Sequence, residues 1–576
     1  MLPPEIQRIV LLIGLAATGY LMILAWNDDM QEAKQPVQYD DAPLLEGQLP
    51  LSDTPAVADR PGATTSSDND SDVPSAALAN VAVESTPDLV ESGASFAGGD
   101  QLVKVSTSSL RVWIDRKGGD VVRVQLPGFP VDLDHPEIPF QILDRSARRT
   151  YVAQSGLIGP DGPDSKGRPL YSSSLDSVEV ADGEEREIVL SASLEGAQLR
   201  KIFTFRGDDF LFDVRYEMTN NSGSPKRASM YAQIKRDDKA PEHSDSFALA
   251  PQPFLGAAYT FPEERYFKAD FEDVEEEPIN EKVDGGWVAF LQHYFLSAWV
   301  PPQDQTNTFY GERMRSGDYR FGYVGQSVEV APGQTGTWSS QFYVGPKDQK
   351  RLEQIAENLN LTVDYGFLWW IAVPLFYLLD WLYAFSGNWG LAIILLTVVV
   401  KALLYPLSAA GYKSMANMRR VAPAMKRLQE RYANDREKLS REMMALYKKE
   451  GANPLGGCLP MLLPMPIFLA LYWVLFESVE LRQAPFFLWI VDLSVMDPFF
   501  ILPLLMGASM YWMQTLNPQV GDPMQIKMMK MMPIMFTVLF LFFPAGLVLY
   551  WLVNNVLSIA QQQYVYRQAE KAHAGG

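Results

Sequence analysis

The sequence predicts a polytopic α-helical membrane protein that carries one large water-exposed β domain. Apolar stretches that are nearly free of charge cover residues 9–26, 367–408, 459–476, 499–516 and 528–560 of the 576-residue chain. Stretches of this kind are long enough to cross a bilayer as helices. The residues between the first and the second stretch have the composition of a soluble protein, and they are numerous enough to form a separate domain.

The soluble segment shows the alternation of antiparallel strands from about residue 100. Within residues 211–218, the apolar residues Phe212, Val214 and Tyr216 alternate with charged ones. Turn sequences such as KGGD, PGFP, GPDGPD and RGDD separate similar runs. This pattern predicts an antiparallel β-sandwich over residues 100–346.

The predicted β domain has no catalytic or metal-binding motif in its sequence. Its histidines, His135, His243 and His293, are far apart, and neither metal-ligand spacing nor a nucleophile motif surrounds them. We therefore expect structural histidines, with no metal and no cofactor. A membrane-anchored carbohydrate enzyme is an alternative, but it would need a carboxylate or histidine pair in this domain.

The chain begins with a predicted membrane anchor at residues 1–27. Arg8 precedes its apolar run and Asp28 and Asp29 follow it, so the positive-inside rule places the N-terminus in the cytoplasm. The run lacks a small-x-small cleavage site, which favours an uncleaved anchor over a signal peptide. Residues 28–99 are rich in Pro, Ser, Ala and Asp and lack periodicity, so we expect a disordered acidic linker.

A basic segment at residues 412–451 sets the orientation of the remaining helices. It has eleven Lys and Arg against five Asp and Glu, a net charge of +6 in a chain whose formal charge is -20. The positive-inside rule places it in the cytoplasm. Apolar residues spaced by three and four predict a helical hairpin with one apolar seam. The seam residues are Met418, Val421, Met425, Leu428 and Tyr432 on the first helix and Leu439, Met443 and Leu446 on the second.

Only one of the apolar stretches at residues 367–385 and 389–407 can cross the membrane if the basic segment is cytoplasmic. The first contains Pro374, Asp380 and several Trp and Tyr residues, which is typical of a helix at the membrane interface. The second stretch is therefore the predicted span. Residues 347–387 are assigned to a periplasmic segment with an interfacial amphipathic helix.

The predicted helical core occupies residues 388–566, and a short cytoplasmic tail follows at residues 567–576. The acidic segments at 477–487 and 491–498 and the FPAG sequence are expected on the exported side. The turn at 517–523 is expected in the cytoplasm. Together with the anchor, this topology has six spans and places both termini in the cytoplasm.

A single lysine interrupts the predicted span. Lys401, within LLTVVVKALLYP, lies ~18 Å along a straight helix from both Trp389 and Lys413. An ammonium at that depth costs at least a few kcal/mol, so we expect a hydrated groove around it. A lysine that only extends to the interface is the alternative. The polar residues expected in the groove are Thr397 and Ser408 on the same helix face, and Gln514, Asn554 and Asn555 in other apolar stretches.

Four motifs in the C-terminal half resemble those of one known family. They are NPLGGCLPMLLPMPIFLALY at 453–472, SVELRQAPF at 478–486, DPFFILPLLMG at 497–507 and FPAGLVLYWLVNN at 543–555. Together with the anchor and the exported domain, they resemble the YidC family of membrane-protein insertases of Gram-negative bacteria. The resemblance extends from the anchor to the C-terminus.

The resemblance implies a five-helix insertase core after the anchor helix, and a periplasmic β-supersandwich similar to galactose mutarotases but without their activity. It implies an inner-membrane insertase and chaperone that catalyses no covalent reaction. Such a protein inserts nascent membrane proteins into the bilayer, alone or with the Sec translocon. A solute transporter is the alternative from another class, but neither an inverted repeat nor a pair of broken helices is visible in the sequence.

The resemblance also implies roles for single residues in the membrane. Lys401 stands where the family has a conserved groove arginine, a change that keeps the charge but loses the bidentate fork. The surface along which substrates slide would include Met465, Pro466 and Phe468 on one helix and Tyr550 and Trp551 on another. At position 551, tryptophan replaces the usual second tyrosine.

Cytoplasmic partners are expected to meet the hairpin rather than the tail. The tail has only Arg567 and Lys571 as cations, whereas the hairpin is strongly basic. The ribosome, the signal-recognition pathway and anionic phospholipids are the expected partners, and no specific nucleic-acid site is expected. The candidate contact residues are Arg419, Arg420, Arg427 and Arg431.

Overall fold

The computed structural model describes residues 73–74, 101–239, 253–432, 435–450, 465–516 and 523–574. Several predictions fall outside these ranges. They concern the anchor at 1–27, all but two residues of the linker at 28–99, His243 and nearly all of the turn at 517–523. The chain forms two compact units, one of β structure that ends at Val363 and one of helices that starts at Asp364.

The described part of the β unit contains a ten-stranded and an eight-stranded sheet. The strands are β1 (Leu102–Ser106), β2 (Arg111–Asp115), β3 (Asp120–Pro130), β4 (Pro139–Arg145), β5 (Thr150–Ile158), β6 (Ser177–Glu179), β7 (Glu185–Leu194), β8 (Ala197–Arg206), β9 (Leu211–Asn220), β10 (Lys226–Arg236), β11 (Gly256–Tyr259), β12 (Phe267–Ala269), β13 (Ile279–Asp284), β14 (Val288–Leu291), β15 (Phe295–Val300), β16 (Thr306–Arg313), β17 (Tyr319–Val330) and β18 (Thr335–Pro346).

Strand order in the larger sheet is β13-β16-β17-β10-β5-β4-β3-β2-β1-β6, and in the smaller sheet β12-β11-β14-β15-β18-β9-β8-β7. Side-chain hydrogen bonds join the two sheets across the core. The Tyr216 hydroxyl on β9 bonds to Ser155 Oγ on β5 at 3.1 Å, and Trp299 Nε1 on β15 donates to the Gln233 carbonyl on β10 at 3.1 Å. The predicted antiparallel β-sandwich is confirmed.

A group of charged side chains lies inside the β unit. Arg168 pairs with Asp120 and, at 2.6 Å, with Asp164, and all three side chains are nearly inaccessible to solvent. Lys201 Nζ donates to the carbonyls of Gly118 at 3.1 Å and Ser155 at 3.3 Å. Burial lowers the pKa of the Lys201 ammonium to about 7, because desolvation disfavours the charged form more than the nearby carboxylates favour it.

The helical elements complete the described chain. The β unit includes α1 (Phe271–Glu276) and α2 (Gln349–Ile355). The helical unit contains α3 (Trp369–Ser386), α4 (Trp389–Leu403), α5 (Tyr405–Arg431), α6 (Arg436–Glu450), α7 (Met465–Glu477), α8 (Ile501–Leu516), α9 (Pro523–Phe540) and α10 (Ala545–Ala574). Among the described residues, length and composition allow one continuous helix, Gly366–Ser386, to span a membrane, or two if the bent pair α4–α5 is one span. The six-span topology stays a prediction.

The predicted span around Lys401 is bent rather than straight. Helices α4 and α5 meet at 68°, with the break at Leu404. Pro406 lies in the first turn of α5. A proline lacks the backbone N–H, and its ring clashes with the carbonyl four residues earlier, so it explains why α4 cannot continue. Lys401 is in the last turn of α4, so the chain from Trp389 to Lys401 is one helix, whereas the path from Lys401 to Lys413 is bent. The depth of Lys401 in the membrane stays a prediction.

The loops that were predicted on the exported side lie together at one end of the helical unit. The backbone N–H of Ala545 donates to the Val495 carbonyl at 2.7 Å. The Asn388 side chain donates to the Pro485 carbonyl at 3.2 Å. The loops that precede α4, α8 and α10 therefore share one end.

Both ends of α3 also contact this end of the helical unit. Before α3 begins, Tyr365 hydrogen-bonds with Ser478, which follows α7. Near the end of α3, the Tyr383 ring stacks on Trp389 with their centroids 4.0 Å apart. A helix with both ends at the same end of a bundle lies across that bundle.

Helices α5 and α6 form a hairpin with one apolar seam. Met418, Val421 and Met425 on α5 are buried, and Met443, Leu446 and Tyr447 on α6 pack against them. This spacing by three and four puts the seam on one face of each helix, and charged residues occupy the outer faces.

The buried lysine predicts an unusual pH dependence for the β unit. Between its folded pKa of about 7 and its unfolded pKa near 10.4, the unfolded chain binds a proton that the folded chain does not, so stability rises with pH. Lys201→Met removes this term. Between pH 7.5 and 9.5, the Tm difference between variant and wild type should shift by roughly 5 °C in favour of the wild type.

Calorimetry of the full chain in detergent measures this slope. The slope is the readout because the methionine also removes two hydrogen bonds, a loss that does not depend on pH. Lys282→Met, at an exposed position on β13, is the matched control and should leave the slope unchanged. Parallel slopes for Lys201→Met and wild type would mean that Lys201 is charged inside the folded domain.

Candidate functional site

Lys401 is buried between α4 and α10, where a hydroxyl accepts its hydrogen bond. Its side chain is 5% exposed, and Nζ donates to Ser558 Oγ at 2.7 Å. The Ser558 hydroxyl in turn donates to the Asn554 carbonyl at 2.7 Å. Tyr412 on α5 hydrogen-bonds with the same serine. Three helices therefore meet at one hydroxyl beside the ammonium.

No carboxylate among the described residues lies within 4 Å of the Lys401 ammonium. A buried charge of this kind is costly unless it is paired, hydrogen-bonded or hydrated. One serine hydroxyl satisfies one of the three donors of a lysine ammonium. The ammonium therefore has two further donors that do not bond to this serine.

A polar stripe runs along one face of α10. We use the name polar stripe for Asn554, Asn555, Ser558 and Gln562, all of which are buried. Ser558 follows Asn554 and Asn555 by four and three residues, and Gln562 follows Ser558 by four, so all four lie on one face of the helix. Asn555 Nδ2 donates to Ser509 Oγ on α8 at 3.0 Å, so the stripe contacts α8 as well as α4.

Of the residues predicted for the groove, the structure buries Thr397, Ser408 and Asn554, and a hydrogen bond joins Asn554 to the Lys401–Ser558 pair. Thr397 and Ser408 are buried on α4 and α5, and the Thr397 hydroxyl donates to the Ile393 carbonyl at 2.7 Å. Asn554 belongs to the polar stripe. Gln514 is only half-buried, and its amide donates to the Met529 carbonyl on α9, so its hydrogen bond lies outside the Lys401 group.

Sequence reasoning missed the serine that accepts from Lys401 and the tyrosine that bonds to this serine. Ser558 and Tyr412 were not among the groove candidates, although Ser558 is the acceptor of the ammonium. The signal was present in the sequence, because Ser558 follows Asn554 by four residues and precedes Gln562 by four. A search for polar residues at helical spacing from Asn554 would have found it.

An aromatic cluster joins the two helices predicted to guide substrates. The Phe468 ring on α7 lies 4.4 Å from Trp551 and 6.3 Å from Tyr550, both on α10, between ring centroids. Phe540 on α9 contacts Phe468 and Trp551. Tyr550 is buried, whereas Met465 is exposed.

Pro466 is exposed like its neighbour Met465. The exposed part of the predicted sliding surface is therefore the start of α7, and the aromatic residues pack behind it.

The predicted cytoplasmic contact residues occupy the first helix of the hairpin. Arg419, Arg420, Arg427 and Arg431 are all exposed on α5. The Arg419 guanidinium lies 5.9 Å from the centre of the Tyr566 ring on α10. Arg427 and Arg431 line a cleft of about 560 Å³ between α5 and α6, opposite Glu442 and Lys449.

Two family models match adjacent parts of the chain. The model described as "YidC periplasmic domain" matches residues 102–378, and the model described as "60Kd inner membrane protein" matches residues 381–572. The chain belongs to the YidC family. Curated relatives named "Membrane protein insertase YidC" agree along the full length. They include one from Azotobacter vinelandii at 49% identity and one from Pseudomonas fluorescens Pf-5 at 46%, each with 99% of both chains covered.

Solved structures give weaker similarity than the sequences do. A crystal structure of an active YidC insertase matches with a TM-score of 0.36 at 17% identity, covering 80% of this chain and 92% of that one. A putative aldose 1-epimerase from Escherichia coli matches with a TM-score of 0.27 at 11% identity, covering 42% and 98%. The family assignment rests on the sequence matches. As a YidC family member, the protein is a membrane protein insertase of the inner membrane, and its substrates are nascent membrane proteins.

The aromatic cluster should hold α7 against α10. Phe468→Ala removes a ring that contacts Tyr550, Trp551 and Phe540. We expect this change to lower the free energy of unfolding by about 2 kcal/mol. Thermal unfolding of the full chain in detergent measures it. Phe385→Ala, at a phenylalanine that is 81% exposed on α3, is the matched control and should change stability by less than about 0.5 kcal/mol. Equal effects of the two variants would contradict this role of the cluster.

Proposed function

We propose that this insertase moves hydrophilic segments of its substrates through a hydrated groove in which Lys401 supplies a fixed positive charge. The observation that carries the proposal is the buried ammonium, which contacts a serine hydroxyl and has no carboxylate among the described residues within 4 Å. The polar stripe supplies further side chains that water can solvate. Such a groove lowers the cost of bringing polar peptide below the lipid headgroups.

The charge suits substrates whose exported segments carry carboxylates. At an effective dielectric of ~20, an ammonium and a carboxylate ~4 Å apart attract each other by roughly 4 kcal/mol before desolvation is subtracted. The net attraction is smaller, because both groups lose water. A modest net attraction holds the segment for a short time and still lets it leave toward the exported side.

The packing of α3 supports its proposed place along the exported membrane surface. Length and composition would also allow this helix to span the bilayer, but both of its ends contact the loops at one end of the helical unit. Its exposed face carries aromatic residues that favour the membrane interface. They are Trp370, Tyr377, Trp381 and Phe385. In this topology the β unit is periplasmic and both termini are cytoplasmic.

The basic face of the hairpin is the proposed contact with the translation apparatus or with anionic lipids. Arg427 and Arg431 are exposed at the cleft between α5 and α6, where long-range attraction to phosphate groups is little hindered. The apolar seam between α5 and α6 accounts for the packing of the two helices without these cations.

Substitutions at Lys401 test the groove. Lys401→Arg keeps the charge and should retain insertion. Lys401→Ala should slow insertion of substrates with acidic exported segments by roughly tenfold, corresponding to ~1.4 kcal/mol of lost attraction. Lys401→Glu should give the lowest insertion rate, because it repels the carboxylates. Insertion into proteoliposomes, scored by protease protection of the exported segment, measures the rate.

Two controls make this result specific. Lys413→Ala removes an exposed lysine from α5 and should leave the rate unchanged. A substrate whose exported segment carries no carboxylate should be nearly insensitive to Lys401→Ala. If Lys401→Ala inserts acidic substrates at the wild-type rate while it remains folded, the lysine has no role in a groove.

Charge reversal tests the hairpin. Changing Arg419, Arg420, Arg427 and Arg431 to Glu together should reduce insertion severalfold at low salt, and less at high salt, because screening weakens the contact. Two double variants that change the charge of the chain by the same amount provide a matched comparison. Arg427→Glu with Arg431→Glu should reduce insertion, whereas Arg567→Glu with Lys571→Glu, on α10, should not. Unchanged insertion by the fourfold variant at physiological salt would overturn this proposal.

A further inference from the structure

Two residues of the predicted linker pack against the ten-stranded sheet of the β unit. Val73 contacts a buried apolar group formed by Ile158, Tyr231, Tyr310 and Val324. Pro74, the next residue, is buried. These four sheet residues lie on β5, β10, β16 and β17, which are adjacent in the order β16-β17-β10-β5. They form one surface, which we name the Val73 pocket.

A buried arginine recognises the backbone of Val73. Arg320 Nη1 donates to the Val73 carbonyl at 3.0 Å. Its other nitrogens are held by Glu312, which accepts from Nε at 2.8 Å and from Nη2 at 2.7 Å. The Arg320 side chain is 2% exposed. Because the carboxylate holds one edge of the guanidinium through two nitrogens, the third nitrogen is oriented toward a peptide carbonyl before any segment binds.

Hydrogen bonds to the hydroxyl groups of Tyr231 and Tyr310 fix the two tyrosine rings of the Val73 pocket. The Tyr310 hydroxyl donates to Gln233 Oε1 at 2.7 Å, and Gln233 donates to Gln154 at 2.9 Å. The hydroxyl of Tyr231 accepts a hydrogen bond from Arg168, which belongs to the buried charged group. Neither ring can rotate away without breaking these bonds, so the pocket has a defined shape.

We propose that the Val73 pocket is a peptide-binding site for an extended apolar-proline segment, and that the chain's own linker occupies it at Val73-Pro74. A residue before proline favours the extended conformation, so its carbonyl is presented to Arg320 at little entropic cost. Proline has no backbone N–H, so burying it leaves no donor unsatisfied. Valine fills the apolar surface between the two tyrosines. The site thus recognises one backbone carbonyl, through Arg320, and one small apolar side chain, through the apolar group.

Docking at this site is first tested within the full chain. Hydrogen–deuterium exchange in detergent follows the backbone around residue 73. In the wild type, this backbone should exchange roughly tenfold slower than in the double variant Val73→Gly with Pro74→Gly. The matched control, Pro55→Gly with Val57→Gly, changes a proline and a valine elsewhere in the predicted linker, and should leave exchange around residue 73 unchanged. Equal exchange in wild type and double variant would overturn the proposal.

Recognition is then tested with a peptide. A fluorescein-labelled peptide of residues 68–79, DNDSDVPSAALA, should bind the double variant of the full chain, measured by fluorescence anisotropy. It should bind the wild type at least tenfold more weakly, because the tethered linker competes at an effective concentration of roughly a millimolar. The same peptide with glycine at both pocket positions should bind neither chain.

The remaining outcomes of the peptide experiment all count against the site. Equal binding to wild type and double variant would place the peptide elsewhere. Equal binding of the two peptides would show adhesion without recognition. If the labelled peptide fails to bind the double variant at millimolar concentration, the pocket does not recognise the segment, and the position of Val73 is only a packing contact.

Discussion

The buried Lys401 ammonium is the constraint on which the helical unit depends. A positive charge among apolar helices is stable only if polar groups or water surround it. This requirement accounts for Ser558 on the facing side of α10, whose hydroxyl accepts the hydrogen bond of the ammonium. The other residues of the polar stripe are buried as well, and Asn555 and Gln562 bond to Ser509 and Tyr566.

The buried cations of the two units differ in the groups that accept their hydrogen bonds. In the β unit, Arg168 pairs with two carboxylates, so its charge is neutralised within the fold. Such a network is expensive to break, and it positions the strands around it. In the helical unit, the lysine has a neutral hydroxyl as its acceptor. The first charge is balanced by carboxylates within the fold, whereas the second is balanced by none among the described residues.

Local patterns in the sequence predicted strands and helices. Contacts between residues that are distant in sequence could not be predicted in this way. Alternation over residues 211–218 was sufficient for β9, and spacing by three and four was sufficient for the seam between α5 and α6, because both depend on which face is buried. Lys401 stood out because a charge in an apolar run is costly. The bend at Leu404 could have been read from Pro406. Docking of Val73 could not, because it depends on residues more than 80 positions away that only the folded sheet brings together.

Helix α10 makes two different sets of contacts, one aromatic and one polar, and the number of residues between them fixes their relative orientation. Tyr550 and Trp551 pack against Phe468, and the polar stripe that begins three residues later contains Ser558, the hydrogen-bond acceptor of Lys401. An α-helix turns by ~100° and rises by ~1.5 Å per residue. One residue inserted between Trp551 and Asn554 would therefore rotate the whole stripe by more than a quarter of a turn relative to the aromatic rings. The length of this short spacer, and not only its composition, is under constraint in any chain that keeps both contacts.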